Sequence, residues 1–345
     1  MEEGKIVACY DTLFSADCAE FCPFEEKKDL LIVGTYQLKD EEDGQKKYGR
    51  SDLIDCSGYL NGVSSRVEPL HSLNSEAILD IKWSGQKIGE KMVFCQVECG
   101  GLRLMEVFEE EESHKMRQVE DIRTNEKDVC LSLDWNNKLF SASDSKISVS
   151  HSDGKISLWQ IESRASKTRE ISAHENEAWV VSFDCHNPNL IYSGSDDCTL
   201  KGWDLREEKS CFVNRKTFSM GVTCAQKSVH DENELLVGSY DENVYLFDTR
   251  QMSKPKVEKK LGNGVWRVKW HPKLSHLFVT ATMHGGFHVC EWRREEQEIQ
   301  ILYNYNKHQS LAYGVDWRHA SEEKESVIAS CSFYDHFCSI WKYKR

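Results

Sequence analysis

An internal repeat constrains this chain more than any other feature. The stretch 173–204, AHENEAWVVSFDCHNPNLIYSGSDDCTLKGWD, alternates short runs of β-branched and aromatic residues with Asn, Pro, Gly and Asp. That alternation reads as short strands separated by tight turns, the last strand ending at Gly202-Trp203-Asp204. The pattern returns along the chain. Trp159, Trp203, Phe247, Cys290 and Trp341 close comparable stretches and stand 44, 44, 43 and 51 residues apart. Six residues before each anchor sit Asp153, Asp197, Asp241, His284 and Asp335. Aspartate suits such a turn because its carboxylate can tie down nearby backbone N–H groups, so His284 is the exception.

The spacing and the His…Trp-Asp pattern resemble WD40 repeats, with Ala173-His174 where the family usually has Gly-His. The resemblance implies an all-β fold, a seven-bladed WD40 β-propeller in one domain over 1–345. Blade one is expected over about 16–73, with a charged insertion at about 39–50, and the last blade over about 299–345. The lone strand 5–11 is expected to close the ring as the outer strand of the last blade, because the chain ends just after that blade's third strand. His174 matches the repeat's structural histidine.

Composition narrows the function. A net charge of −13 argues against a general nucleic-acid binder, since phosphate contact needs clustered Lys and Arg. No apolar run is long enough to span a bilayer, and the amino terminus carries no signal-like segment. The 14 cysteines are scattered, without a Cys-x-x-Cys pair or metal-ligand spacing. A reduced, cytoplasmic, monomeric protein is expected, with no metal and no cofactor.

Several stretches are more particular than the repeat requires. AEFCP (19–23), GTYQL (34–38), AILDIKW (77–83), EAWVVSFD (177–184), FSMGV (218–222), GVWRVKWHP (264–272), MHGGF (283–287), YGVDW (313–317) and CSFYDH (331–336) resemble the diphthine methylesterase family. That family, called diphthine methyltransferase in older naming, contains WD-repeat enzymes of diphthamide biosynthesis. The resemblance covers nearly the whole chain. It implies a hydrolase whose partner is elongation factor 2 carrying methylated diphthine, a histidine extended, trimethylated on its amino group and methylated on its carboxylate. Hydrolysis of that ester releases methanol.

In a propeller, the segments leading into the innermost strands and the turns joining second and third strands emerge on one face. That face collects the particular residues. A trimethylammonium group donates no hydrogen bond and is recognised by aromatic faces, which points to Trp179, Trp266 and Tyr313, with Glu177 or Asp241 adding charge attraction. Propeller rims are also aromatic when they simply bind peptides, and the repeat already accounts for Asp197 and Asp241 structurally. For the chemistry, His284 in a Met-His-Gly-Gly turn is the expected base, since the following glycines let backbone amides approach a substrate. His336 beside Asp335 is a second candidate, a carboxylate being able to orient either imidazole. Arg267 could bind the carboxylate product or the developing oxyanion. No Gly-x-Ser-x-Gly elbow occurs, and Cys331 and Ser332 read as core. No Gly-rich strand-to-helix nucleotide site is present for methyl transfer. The competing class is a non-catalytic scaffold that presents its rim to partner proteins; the two readings separate at His284.

Overall fold

Strands of four to twelve residues joined by tight turns pair with their chain neighbours, so each repeat becomes a four-stranded antiparallel sheet. The structure, a computed structural model, describes residues 4–41, 44–60, 67–124, 129–140, 144–320 and 325–345. Among these residues the strands form seven such sheets, the blades of a propeller. The innermost strands of blades one to seven are Ser15–Phe21, Ile78–Trp83, Cys130–Trp135, Val180–Asp184, Val222–Lys227, Val265–Trp270 and Ala312–Trp317. All five anchors of the repeat fall in third strands.

Ring closure follows the expected route. Lys5–Asp11 is the outer strand of blade seven and pairs antiparallel with Phe337–Lys344, from Lys5↔Lys342 to Asp11↔Phe337. Two boundaries differ from the sequence reading. Glu298–Tyr305 pairs with Gly286–Arg293, so it is the outer strand of blade six, and blade seven opens at Ala312. An outer strand carries neither the anchor nor the turn aspartate of the repeat, so spacing alone does not say to which of two successive blades it belongs. The charged stretch 39–50 extends the second and third strands of blade one, with Lys39↔Lys46 and Asp40↔Gln45 in register; residues 42 and 43 lie outside the described residues.

Blade four shows what the repeat's polar residues do. His174 Nδ1 meets Asp197 Oδ2 at 2.9 Å and its Nε2 meets Ser193 Oγ at 2.8 Å, while Trp203 Nε1 donates to the same Ser193 Oγ at 2.9 Å. Blade seven repeats the arrangement, with His308 on Ser330 and Ser332 and Trp341 Nε1 on Ser330. Blade six has Cys290 at the anchor and no such chain, leaving His284 without that structural duty.

Neighbouring blades are stitched where the innermost strands end. Trp83 Nε1 donates to Glu20 O, Trp135 Nε1 to Lys82 O, Trp270 Nε1 to Gln226 O and Trp317 Nε1 to Lys269 O. Each bond runs from one blade to the one before it. At the opposite end, register shifts interrupt the pairing next to Asp17, Leu79, Leu131, Thr223, Trp266 and Tyr313. Such bulges re-aim the extra side chain. Together with Trp179, which precedes Val180, these positions form one ring at the mouth of the central channel.

Candidate functional site

The ring is aromatic on one arc. Trp179, Trp266 and Tyr313 come from blades four, six and seven, and Tyr240, from the turn after the second strand of blade five, fills the gap between them. Trp179 lies 5.6 Å from Trp266 and 6.3 Å from Tyr240, Tyr240 lies 6.1 Å from Trp266, and Trp266 stacks on Tyr313 at 4.7 Å. Phe333 continues the crown, 5.3 Å from Tyr313 and 5.9 Å from Tyr36. All six rings are half-buried. The three aromatic residues expected from sequence are therefore brought together, and Tyr240, Phe333 and Tyr36 join them.

Below the crown the channel is polar. A cavity of about 380 Å³, walled at one end by Trp179 and Trp266, descends past Arg267 and Asp80 to a ring formed by Glu20, Lys82, Asp134, Ser182, Gln226, Lys269 and Asp316. Most of these charges are paired. Arg267 reaches from blade six to blade two, its guanidinium 2.8 Å from Asp80 Oδ1, and Lys82 approaches the same oxygen at 2.6 Å. Burial opposes the Asp80 charge, but Arg267 and Lys82 hold its carboxyl down at about 2. Burial would also raise Glu20, yet Lys269 and Lys82 keep it below its ordinary value. Burial pushes Asp316 up to about 7 against the pull of Lys269, and its Oδ2 accepts Phe21 N at 2.8 Å.

Glu20, Asp80, Lys82 and Lys269 were not singled out from the sequence, and neither was Asp17, which lies close to them. It is 4% exposed, and its Oδ1 is buried without a hydrogen-bond partner among the described residues. Burial pushes its carboxyl up to about 8, with Arg267 pulling down and Asp80 pushing further up. The signal was available: SADCAEF aligns with VWRVKW and AYGVDW, which sets Asp17 at the bulge position of Trp266 and Tyr313.

The remaining expected residues separate into used and unused groups. Asp241 holds its own turn, accepting Ser219 N, Asn243 N and the Tyr245 hydroxyl. Asp335 accepts Gln309 N at 2.9 Å and Ser332 Oγ at 2.5 Å, and it orients neither His284 nor His336. Both carboxylates thus follow the repeat's turn role, spent on backbone N–H groups and hydroxyls nearby. His284 and Glu177 are exposed, and neither side chain forms a hydrogen bond among the described residues. His336 is half-buried, at a left-handed φ of 52°, with its carbonyl accepting Thr12 N. Among the described residues no three His, Cys, Asp or Glu side chains stand together as a metal site. No helix among them is long and apolar enough to cross a membrane.

Comparison with known proteins adds a second line. Residues 165–204 match the family model for the WD domain, G-beta repeat. The chain is 34% identical over 330 residues to a human protein named diphthine methyltransferase, covering 89% of this chain and 73% of that one. It is 31% identical over 366 residues to a Dictyostelium discoideum protein named diphthine methyltransferase homolog, covering 95% and 96%. A Schizosaccharomyces pombe protein with the same diphthine methyltransferase name is 29% identical over 331 residues, covering 94% of each chain.

Proposed function

The chain belongs to the diphthine methyltransferase family, and from that premise we propose that it is an ester hydrolase of diphthamide biosynthesis. In this reading it removes the methyl ester from the diphthine intermediate on elongation factor 2, acting as a monomer in the cytoplasm. The crown at the channel mouth carries the reading. The rings of Trp179, Tyr240 and Trp266 lie 5.6–6.3 Å from one another, and Tyr313 stacks on Trp266 at 4.7 Å. A trimethylammonium group, with no N–H to donate, is held best by such faces, each contact contributing about 0.5–2 kcal/mol. Leu13, Met220 and Tyr334 are exposed on loops and turns of the same face, which suits docking of a protein substrate.

The chemistry needs water, a base and donors for the developing oxyanion. Water adds to the ester carbonyl while the base takes its proton; the bond to methoxide breaks as that proton reaches the leaving oxygen. Methanol and a carboxylate result, with release of one proton. His284 is our choice of base, its ring being free of the structural bonds that occupy His174 and His308. His336 is the second choice, without help from Asp335. Arg267 faces the channel beside the crown and can serve the oxyanion.

The test is methanol release, with loss of one methylene from the modified factor, on mixing purified protein with methylated diphthine on elongation factor 2. Wild type is expected to release methanol, and His284→Ala and Trp266→Ala to lose it while remaining folded. If wild type binds the factor and releases no methanol, the molecule is a scaffold and the hydrolase reading falls.

A further inference from the structure

The chain has ten tryptophans. Eight of them donate their indole N–H to a protein oxygen: Trp83, Trp135, Trp270 and Trp317 to backbone carbonyls, Trp159, Trp203 and Trp341 to serines, and Trp292 to Glu234. The two that do not, among the described residues, are Trp179 and Trp266 of the crown, whose Nε1 atoms are buried. Arg267 Nε, next in sequence to Trp266, is also buried and unpartnered, and so is Asp17 Oδ1. Buried polar atoms are almost always paired, and leaving one unmet costs about 1–3 kcal/mol. Four together at one end of a channel ask for a common reason. Three are donors and one is a carboxyl acceptor, and two of them belong to the aromatic crown.

We infer that Asp17, Trp179, Trp266 and Arg267 form a specificity-determining subsite for a betaine-like group, in which a quaternary ammonium and a carboxyl share one carbon. The aromatic faces and Asp17 oppose the cation, whose charge favours loss of the Asp17 proton on binding, while the indole and guanidinium N–H groups take the carboxyl oxygens. The inference deepens the hydrolase reading and rests on it for the protein-borne source of the group; the chemistry itself also admits a free betaine. The cavity, about 380 Å³ and walled by Trp179, Trp266 and Arg267, is in the size range of small-ligand pockets.

Calorimetric titration of the full chain with three probes tests it: glycine betaine, tetramethylammonium, which lacks the carboxylate, and 3,3-dimethylbutyrate, which keeps shape and carboxylate without the cation. Glycine betaine is expected to bind at least about tenfold more tightly than either. Asp17→Asn should erase its advantage over 3,3-dimethylbutyrate, and Trp266→Phe, which keeps a ring but loses the N–H, should shrink its advantage over tetramethylammonium. Equal affinity for the three probes, no binding of any, or preferences unchanged in both variants would overturn the subsite. Displacement of bound betaine by the methylated factor identifies the protein-borne source, and failure of the factor to displace it identifies a free betaine. Methanol release without betaine binding defeats the subsite and leaves the hydrolase standing; betaine binding without methanol release does the reverse.

Discussion

Trp266 and Trp270 lie four residues apart in one innermost strand, and they live under opposite rules. Trp270 is buried, and its indole is bonded to Gln226 O of the preceding blade; Trp266 is half-buried, and its indole N–H has no partner among the described residues. The same contrast runs round the channel. At one end Trp83, Trp135, Trp270 and Trp317 stitch blade to blade; at the other, Trp179 and Trp266 sit at bulge level with their polar edges unmet. One end of the channel is therefore built for cohesion. The other leaves hydrogen-bonding capacity and aromatic surface that the fold does not use.

Truncation should separate the two ends most widely. Trp317→Ala removes a fully buried ring and an inter-blade bond, and denaturant unfolding is expected to show a loss of about 3–5 kcal/mol. Trp266→Ala should cost less than about 1.5 kcal/mol while abolishing methanol release. Equal costs at the two positions would erase the distinction.

Removing the N–H alone gives a finer comparison. Trp317→Phe leaves Lys269 O without its donor, and unfolding should report a loss of about 1–3 kcal/mol.

Asp17 sharpens the contrast through pH. Its carboxyl holds a proton up to about 8 in the folded chain against an ordinary value of 3.8, so the native state binds that proton more tightly than the unfolded state. The stability it contributes is full below about 4 and is lost as pH rises through about 8. Asp17→Asn should flatten this decline, gaining on wild type by about 1–2 kcal/mol near pH 8 in parallel melts across the range. A wild-type decline that persists unchanged in the variant would place the titrating group elsewhere.

The smallest effect is expected at the crown itself. Trp266→Phe should leave stability unchanged or raise it by up to about 1 kcal/mol, because no bond within the fold is lost and a buried unmet N–H is removed. A loss as large as that of Trp317→Phe would show that the crown indole is structural after all.

Blade architecture was legible in the residues because a repeat writes its own spacing. Trp159, Trp203, Phe247, Cys290 and Trp341 fall in third strands, and Lys5–Asp11 closes the ring where expected. Trp179, Trp266 and Tyr313 were legible as a group, since each follows a small or β-branched residue at the head of an innermost strand. The start of blade seven was not legible, because Glu298–Tyr305 is assigned to blade six only by its hydrogen bonds to Gly286–Arg293. The structural duty of Asp241 was legible from its place in the repeat, but sequence could not tell that Asp335 is bonded to Gln309 and Ser332 and orients neither His284 nor His336.

By itself, then, the sequence determined the repeat, the strand order within each blade and the kinds of side chain delivered to one rim, since all of these depend on local spacing and turn chemistry. Tertiary structure alone decided which of those side chains meet. Arg267 pairs with Asp80, which lies 187 residues earlier in the chain, and Asp17 comes close to Tyr313 from the far end of the chain only because closing the ring makes blades one and seven neighbours. Which polar atoms remain unmet is likewise a property of the closed ring, because a partner can be supplied or withheld only by a neighbouring blade.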